Sequence, residues 1–166
     1  MLPKTNARMP LRAALLGLAA LAGCGFTPVY GTRGTASHLY GQIAFELPDT
    51  VAGYHTRQEL ESKLGVTQTA AYVLTVTLDP VQDIAVAIND DNAARRTNLL
   101  GQASFKLADI AGNPLADGEV QASAGYSRTG NTVATSAAED DALRRLSVNL
   151  ADQIATLVWA SAPVPR

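Results

Sequence analysis

The chain has 166 residues, with 13 basic and 15 acidic side chains and a formal charge of −2. The N-terminal signal described below contains three of the basic residues and no acidic one, so its removal leaves 10 basic against 15 acidic residues, a charge of −5. This balance disfavours a nucleic-acid partner, because domains that bind nucleic acid present a net basic face. The remaining length of about 143 residues suits one domain with its own hydrophobic core.

Residues 1–23 have the pattern of a secretory signal peptide. Basic residues without any acidic neighbour precede an apolar run from Leu11 to Leu21. That run is about a dozen residues long, whereas a helix needs roughly 20 residues to cross a bilayer. We therefore predict a cleaved signal rather than a permanent membrane-spanning segment.

The signal ends in Leu21-Ala22-Gly23-Cys24, which resembles the lipobox of bacterial lipoproteins. The resemblance implies an S-linked diacylglycerol on Cys24, cleavage before it, and N-acylation of the new amino terminus. Two or three acyl chains anchor a protein firmly where one would not. The alternative is that Cys24 is a small buried side chain behind an ordinary signal. Cys24 is the only cysteine, so a lipidated chain has none left for a disulfide.

Glycine and proline are frequent after Cys24, and residues 24–40 are predicted to form a tether that leads into a domain over residues 41–160. The first predicted strand is Gln42–Leu47, whose alternation places apolar side chains on one buried face. A capping-box pattern at Thr56–Glu59 then predicts the start of a short helix. Its buried face carries Leu60 and Leu64, and it is expected to stop at Gly65.

The next strand covers Tyr72–Leu78 and is rich in β-branched residues. Pro80 either ends this strand or forms a bulge at a sheet edge before the chain continues over Ile84–Ala87, and we predict the bulge.

The sequence then indicates a β-hairpin. After a turn at Asn89–Asn92, a strand runs from about Thr97 to Leu107, with its odd-numbered residues from Leu99 onwards on the core face. A turn cluster around Gly112-Asn113-Pro114 connects this strand to the alternating segment Val120–Tyr126.

The last predicted element is an amphipathic helix. Ser136–Glu139 resembles a second capping box, and acidic residues follow where they favour the positive end of the helix dipole. The predicted buried face recurs at three- and four-residue spacing and contains Leu143, Leu146, Leu150, Ile154 and Leu157. Residues 161–166 contain two prolines and are predicted to be a disordered tail.

The element order β-α-β-β-β-α predicts an α+β fold. A sheet with one polar face and two amphipathic helices gives a two-layer sandwich, in which a mostly antiparallel four-stranded sheet is packed by the two helices.

Several pieces, in this order, resemble the LptE family of outer-membrane lipoproteins that assist lipopolysaccharide (LPS) assembly. They are the opening Cys24-Gly25-Phe26-Thr27-Pro28-Val29-Tyr30-Gly31, the Arg57, Leu60 and Leu64 pattern, the strand from Tyr72 to Leu78, the pair Arg95-Arg96 before Thr97, and the final helix. The resemblance implies an LptD-like β-barrel as partner, with the lipoprotein seated in its lumen as a plug and in contact with LPS. An aspartate directly after the lipidated cysteine often retains lipoproteins in the inner membrane. Gly25 stands at that position here, so the resemblance also favours an outer-membrane location on the periplasmic side.

LPS carries phosphates and sugar acids, so a site for it needs cations near apolar surface. Arg95, Arg96 and Lys106 lie on or beside one predicted strand and are the candidates for LPS binding. The alternative is that they are solvated charges that protect a sheet edge. Two further arginines, Arg144 and Arg145, are interpreted as helix surface pairs with Asp140 and Asp141.

An enzyme is not predicted, and neither is a catalytic residue, a metal site or a cofactor beyond the lipid. His38 and His55 fall in predicted loops without a third ligand at metal spacing, and no Gly-x-Ser-x-Gly elbow is present. The aspartates at positions 79, 83, 90 and 91 do not fit a calcium-binding loop. Trp159 is interpreted as a core or interface residue.

The main alternative is an auxiliary lipoprotein subunit of an ABC-type lipid transporter, a class that also combines a lipobox with a small α+β domain. That alternative predicts fractionation with the inner membrane or with an ATPase complex, whereas an LptE-like protein co-purifies with a large outer-membrane β-barrel.

Overall fold

The computed structural model describes residues 39–88, 94–128 and 131–161, with side chains described except at 86–88, 94 and 95. The predicted signal, Cys24, His38, the turn at residues 89–92 and residues 162–166 of the predicted tail lie outside this range. In chain order the elements are β1 (Ile43–Glu46), α1 (Val51–Leu64), β2 (Tyr72–Leu78), β3 (Gln82–Ile88), β4 (Ala94–Asp109), β5 (Pro114–Ser127) and α2 (Thr132–Ser161).

The sheet is built around β4. Along one edge β4 pairs with β5 over nearly its whole length, and along the other it pairs with β2 and β3, which lie end to end. Leu78 pairs with Ala103 and Gln82 with Leu100, so the β2–β3 side has one extra residue around Pro80. Residues 79–81 lie outside both strands, so β2 ends before Pro80 and the predicted bulge in a continuing strand was wrong. The sheet has five strands instead of the predicted four, arranged in four rows, with β1 parallel to β2 and the other pairs antiparallel, and the predicted α+β fold is confirmed.

Helix α1 begins six residues earlier than predicted. The hydroxyl of Thr50 accepts a hydrogen bond from the Gly53 amide (3.0 Å) and caps the first turn. Thr56 is fully buried inside the helix and donates to the Ala52 carbonyl (2.8 Å), so the capping box at Thr56–Glu59 was wrong. A cap must stand where the chain turns into the helix, and here the chain turns directly after Pro48. The predicted end at Gly65, where φ is 82°, is confirmed.

Because α1 starts early, His55 lies within the helix and not in a loop as predicted. Its ring meets Tyr54 edge-on, with centroids 5.5 Å apart.

Helix α2 also begins earlier than predicted. The Asn131 side chain accepts hydrogen bonds from the amides of Val133 (3.0 Å) and Ala134 (3.2 Å), so the predicted start at Ser136 was wrong. The helix continues to Ser161, over 30 residues or about 45 Å. Leu157 is 41% exposed instead of buried, and Val158 and Trp159 occupy the core at that turn. Neither described helix has a stretch apolar and long enough to cross a membrane.

The core lies between the two helices and the inner face of the sheet. The predicted inner face of β4 is confirmed, since its odd-numbered residues from Leu99 to Leu107 are all buried. Gly101 is needed there, because a Cβ at this position would stand 3.0 Å from a methyl carbon of Leu146. Between the helices Lys63 pairs with Asp152 (3.1 Å), and this hydrogen-bonded carboxylate raises the pKa of Lys63.

The domain has two distinct ends. The near end contains the starts of β1 and β2, the β4–β5 turn and the C-terminal ends of both helices, joined by hydrogen bonds such as Gly41 N to Leu64 O (2.8 Å). The far end contains β3, the first half of β4, the second half of β5 and the first half of α2. The core also includes Leu39, two residues before the predicted start of the domain.

Candidate functional site

The predicted LPS-binding cations do not form one cluster. Arg96 and Lys106 are both exposed on the open face of β4, the face that no helix covers. They are ten residues apart on one strand, which is about 33 Å at the usual rise per residue. Lys106 stands opposite Thr75 and Asp117 near the near end, whereas Arg96 stands at the far end. For Arg95 only the backbone, within β4, is described.

The open face of the sheet is largely polar and carries short side chains. Two partly exposed apolar residues, Ile84 (43%) and Leu100 (37%), interrupt it near β3. The polar side chains on this face, as given by the strand register, are Thr75, Thr77, Asn98, Gln102, Ser104, Glu119, Gln121 and Ser123.

A hollow of about 410 Å³ at the far end contains Arg96 together with a second arginine, Arg145, from α2. We refer to it as the arginine hollow. The Nη2 of Arg145 donates to the Gly125 carbonyl of β5 (3.0 Å), and its Nε donates to Asp141 (2.8 Å). The Nε of Arg96 lies 3.9 Å from where a Cβ on Gly125 would stand. Two guanidinium groups from separate elements thus approach the same residue of β5.

The arginine hollow carries more positive than negative charge from the side chains around it. Asp141 accepts from Arg145 and also from Arg144 (2.8 Å), and these two bonds hold the pKa of Asp141 below its ordinary value. Arg128, also exposed, directly follows β5, next to the pairing partner of Arg96. The lining of the hollow thus contains two guanidinium groups, from Arg96 and Arg145, and one carboxylate, from Asp141, which suits an anionic ligand.

The two ion pairs predicted on α2 had different outcomes. The pair between Asp141 and Arg145 is confirmed. The pair between Asp140 and Arg144 was wrong, because Arg144 reaches Asp141 at a spacing of three residues. Asp140 instead lines the acidic groove described below.

Arg145 and Arg128 were not predicted as site residues. The hairpin register could have indicated Arg128, since the predicted turn places the end of β5 beside the start of β4. For Arg145, the bond to Gly125 depends on how α2 crosses the sheet, which local sequence does not encode.

A larger groove of about 530 Å³ lies where the start of α1, the connection from β2 to β3 and the first half of α2 meet. Apolar side chains line it, and four carboxylates accompany them, from Asp79, Asp83, Glu139 and Asp140. This acidic groove would repel phosphate. Among the described residues no group of histidines and acidic side chains could hold a metal ion, and Asp90 and Asp91 of the calcium pattern lie outside them.

Trp159 is 7% exposed and belongs to the core, in agreement with its interpretation from the sequence.

The family model described as "LptE: Lipopolysaccharide-assembly" matches residues 43–158, from the first strand to near the end of α2. Comparison with curated protein sequences finds no match.

Solved structures share the fold. A candidate lipoprotein from Caulobacter crescentus CB15 is 26% identical, with a TM-score of 0.65 over 80% of this chain and 98% of its own. The rare lipoprotein B of Shewanella oneidensis is 14% identical, with a TM-score of 0.57 over 72% of this chain and 95% of its own. A lipoprotein B from Nitrosomonas europaea is 13% identical, with a TM-score of 0.55 over 74% and 86%. Together with the family match, these neighbours indicate a bacterial envelope lipoprotein.

Proposed function

Because the chain belongs to the LptE family, whose role is lipopolysaccharide assembly, we propose that it acts as a lipid-anchored, non-enzymatic partner of an LptD-like β-barrel in the outer membrane. The observation that carries this proposal is the family match over the whole described fold. In this function Cys24 holds the acyl chains on the periplasmic side, and the folded domain plugs the barrel.

The open face of the sheet supports the proposed role as a plug inside the barrel. Large β-barrels of the outer membrane have polar interiors, in contrast to their apolar outer bands. A domain that buries its apolar residues against two helices and leaves a face of hydroxyl and amide side chains can therefore contact a lumen wall without exposing its core. Most of this face is formed by β4 and β5.

The arginine hollow supports direct contact with LPS. A guanidinium group can bind two oxygens of a phosphate at once, and partly desolvated sites favour arginine over lysine. We propose that Arg96 and Arg145 hold an anionic group of LPS, with Arg128 close by. Lys106, about 33 Å away along the same face of β4, is too far from the hollow to bind the same group.

This site can be tested with purified lipoprotein and LPS. Replacing Arg145 or Arg96 with glutamine should weaken binding by about tenfold or more, the usual consequence of losing one charge-assisted hydrogen bond. Lys106→Gln is the control at the other end of β4. The site is overturned if Lys106→Gln loses as much affinity as the hollow variants, or if all three variants bind like the wild type. Chemical denaturation of each variant checks that it remains folded.

The partner is tested separately, by affinity purification from detergent-solubilised envelopes followed by mass spectrometry. A stoichiometric large outer-membrane barrel is expected. Recovery of an ABC transporter would instead support the auxiliary-subunit alternative. Depletion of the protein should reduce surface LPS, and unchanged LPS would contradict the proposed function. Cys24→Ser is expected to release the protein from the membrane fraction.

A further inference from the structure

Three large apolar side chains are exposed together at the near end. Tyr40 is 59% exposed, Val66 71% and Ile110 73%. Single exposed apolar residues are common on protein surfaces, but neighbouring ones indicate a contact surface. We call these three residues the apolar rim.

The members of the apolar rim lie on adjoining segments. The Tyr40 ring lies 3.1 Å from the position that a Cβ on Gly65 would occupy, and Gly65 directly precedes Val66 in the chain. The amide of Ile110 bonds to the Ala71 carbonyl (3.2 Å), and the Ala71 amide bonds to the Gln42 carbonyl (2.9 Å), two residues after Tyr40. Short backbone bonds therefore connect the segments that carry the rim.

The near end is also where the N-terminal segment joins the domain. Leu39 is 1% exposed and fixes this point in the core. A lipid on Cys24 attaches the domain to the bilayer at the near end, through residues 24–38, which span about 50 Å at full extension and less in any shorter conformation. The far end lies on the order of 45 Å further away, the length of α2.

The charges around the rim are largely compensated, so they do not oppose contact with a phospholipid surface. The carboxylate of Asp109 accepts three hydrogen bonds inside its own turn. Lys63 is paired with Asp152 and Glu59. Lys106 stands opposite Asp117 in the strand register, three residues before the end of β4 and about 10 Å from the turn, and makes no ion pair with any described residue.

We propose that, before the lipoprotein engages its barrel partner, the apolar rim rests on the bilayer that holds the lipid of Cys24. Tyr40, Val66 and Ile110 enter the headgroup region, where a tyrosine can bury its ring and keep its hydroxyl in water. The far end, with the arginine hollow, then points away from the membrane. This inference rests on the lipid anchor of the proposed function and is independent of the barrel.

The test uses the full mature lipoprotein, reconstituted in vesicles of phosphatidylethanolamine and phosphatidylglycerol. An environment-sensitive fluorophore is attached through Ile110→Cys, which is specific because lipidation blocks the thiol of Cys24. The matched control is Val133→Cys, at a residue 79% exposed at the far end. The mass of the N-terminal peptide verifies the acyl chains. A missing lipid anchor is thereby distinguished from an apolar rim that does not contact the bilayer.

We expect the Ile110→Cys probe to shift to the blue and to be quenched by lipids carrying a doxyl group near the headgroup, while the Val133→Cys probe stays unquenched in water. The proposal is overturned if, in acylated protein, both probes remain in water or both are quenched equally by the doxyl lipid. A blue shift without quenching by doxyl lipid would indicate that a second copy covers the rim, and would also overturn it.

Discussion

The near and far halves of this domain are built differently on the same long hairpin. In the near half two helices cover the sheet, and most of the large side chains with almost no exposure, among them Ile43, Leu64 and Leu74, are found there. In the far half only α2 crosses the strands, the arginine hollow lies there, and the acidic groove opens where α1 begins. Stability is therefore concentrated next to the tether, while the charged surfaces lie where packing is thinner.

The largest difference is expected from truncating one leucine in each half. Leu74→Ala removes a fully buried side chain of β2 and should cost about 4 kcal/mol of unfolding free energy. Leu99→Ala should cost about 2 kcal/mol, because Leu99 borders the acidic groove, where neighbours can relax. Urea unfolding of both variants measures this, and equal losses would remove the distinction between the halves.

Two glycines provide a second comparison. A Cβ on Gly53 would collide with the backbone carbonyl of Pro48, so Gly53→Ala should cost about 3 kcal/mol. A Cβ on Gly125 would meet the Asn98 side chain, which can rotate, so Gly125→Ala should cost about 1 kcal/mol. Thermal unfolding ranks the two variants, and the reverse order would show that the turn before α1 adapts more easily than the hairpin.

The two helix caps should respond in different ways. Thr50→Ala should lower global stability by about 1 kcal/mol, because α1 is short and packed in the near half. Asn131→Ala removes a comparable cap, but the first turns of α2 are largely exposed and can fray locally. Hydrogen exchange should then show faster exchange near residues 132–136 with little change in global unfolding. A global loss at Asn131 as large as at Thr50 would contradict this.

The smallest effects concern two exposed carboxylates, one in each half. Hydrogen bonds from Asn113 lower the pKa of Asp109, and those from Arg145 and Arg144 lower the pKa of Asp141. A lowered folded-state pKa stabilises the protein above the unfolded-state value of about 3.9, and this contribution is lost as the pH falls through the folded-state pKa. Asp109→Asn and Asp141→Asn should therefore each be less stable than the wild type at pH 7, and the difference should shrink in acid. Denaturation curves at several pH values test this, and a difference that does not vary with pH would exclude the carboxylates as its cause.

Much of the fold followed from periodicity. The alternation in β4 identified the buried face correctly, because a strand repeats every two residues and a helix-covered sheet needs one apolar face. Gly65 ended α1 as predicted, since few other residues accept its positive φ. The starts of both helices were wrong, because several Ser, Thr and Asn residues compete for each cap and the surrounding chain decides between them.

Spacing and local backbone chemistry were enough to predict both helices, four of the five strands, most of the buried faces and the interruption at Pro80. The packing of the folded domain was needed to show that Arg96 and Lys106 stand at opposite ends of one strand face, and that Arg145 of α2 bonds to Gly125 beside Arg96. The physical reason is that a site shared by a strand and a helix depends on where the helix crosses the sheet. That crossing is set by the packing of the whole core, which no single segment of the sequence specifies.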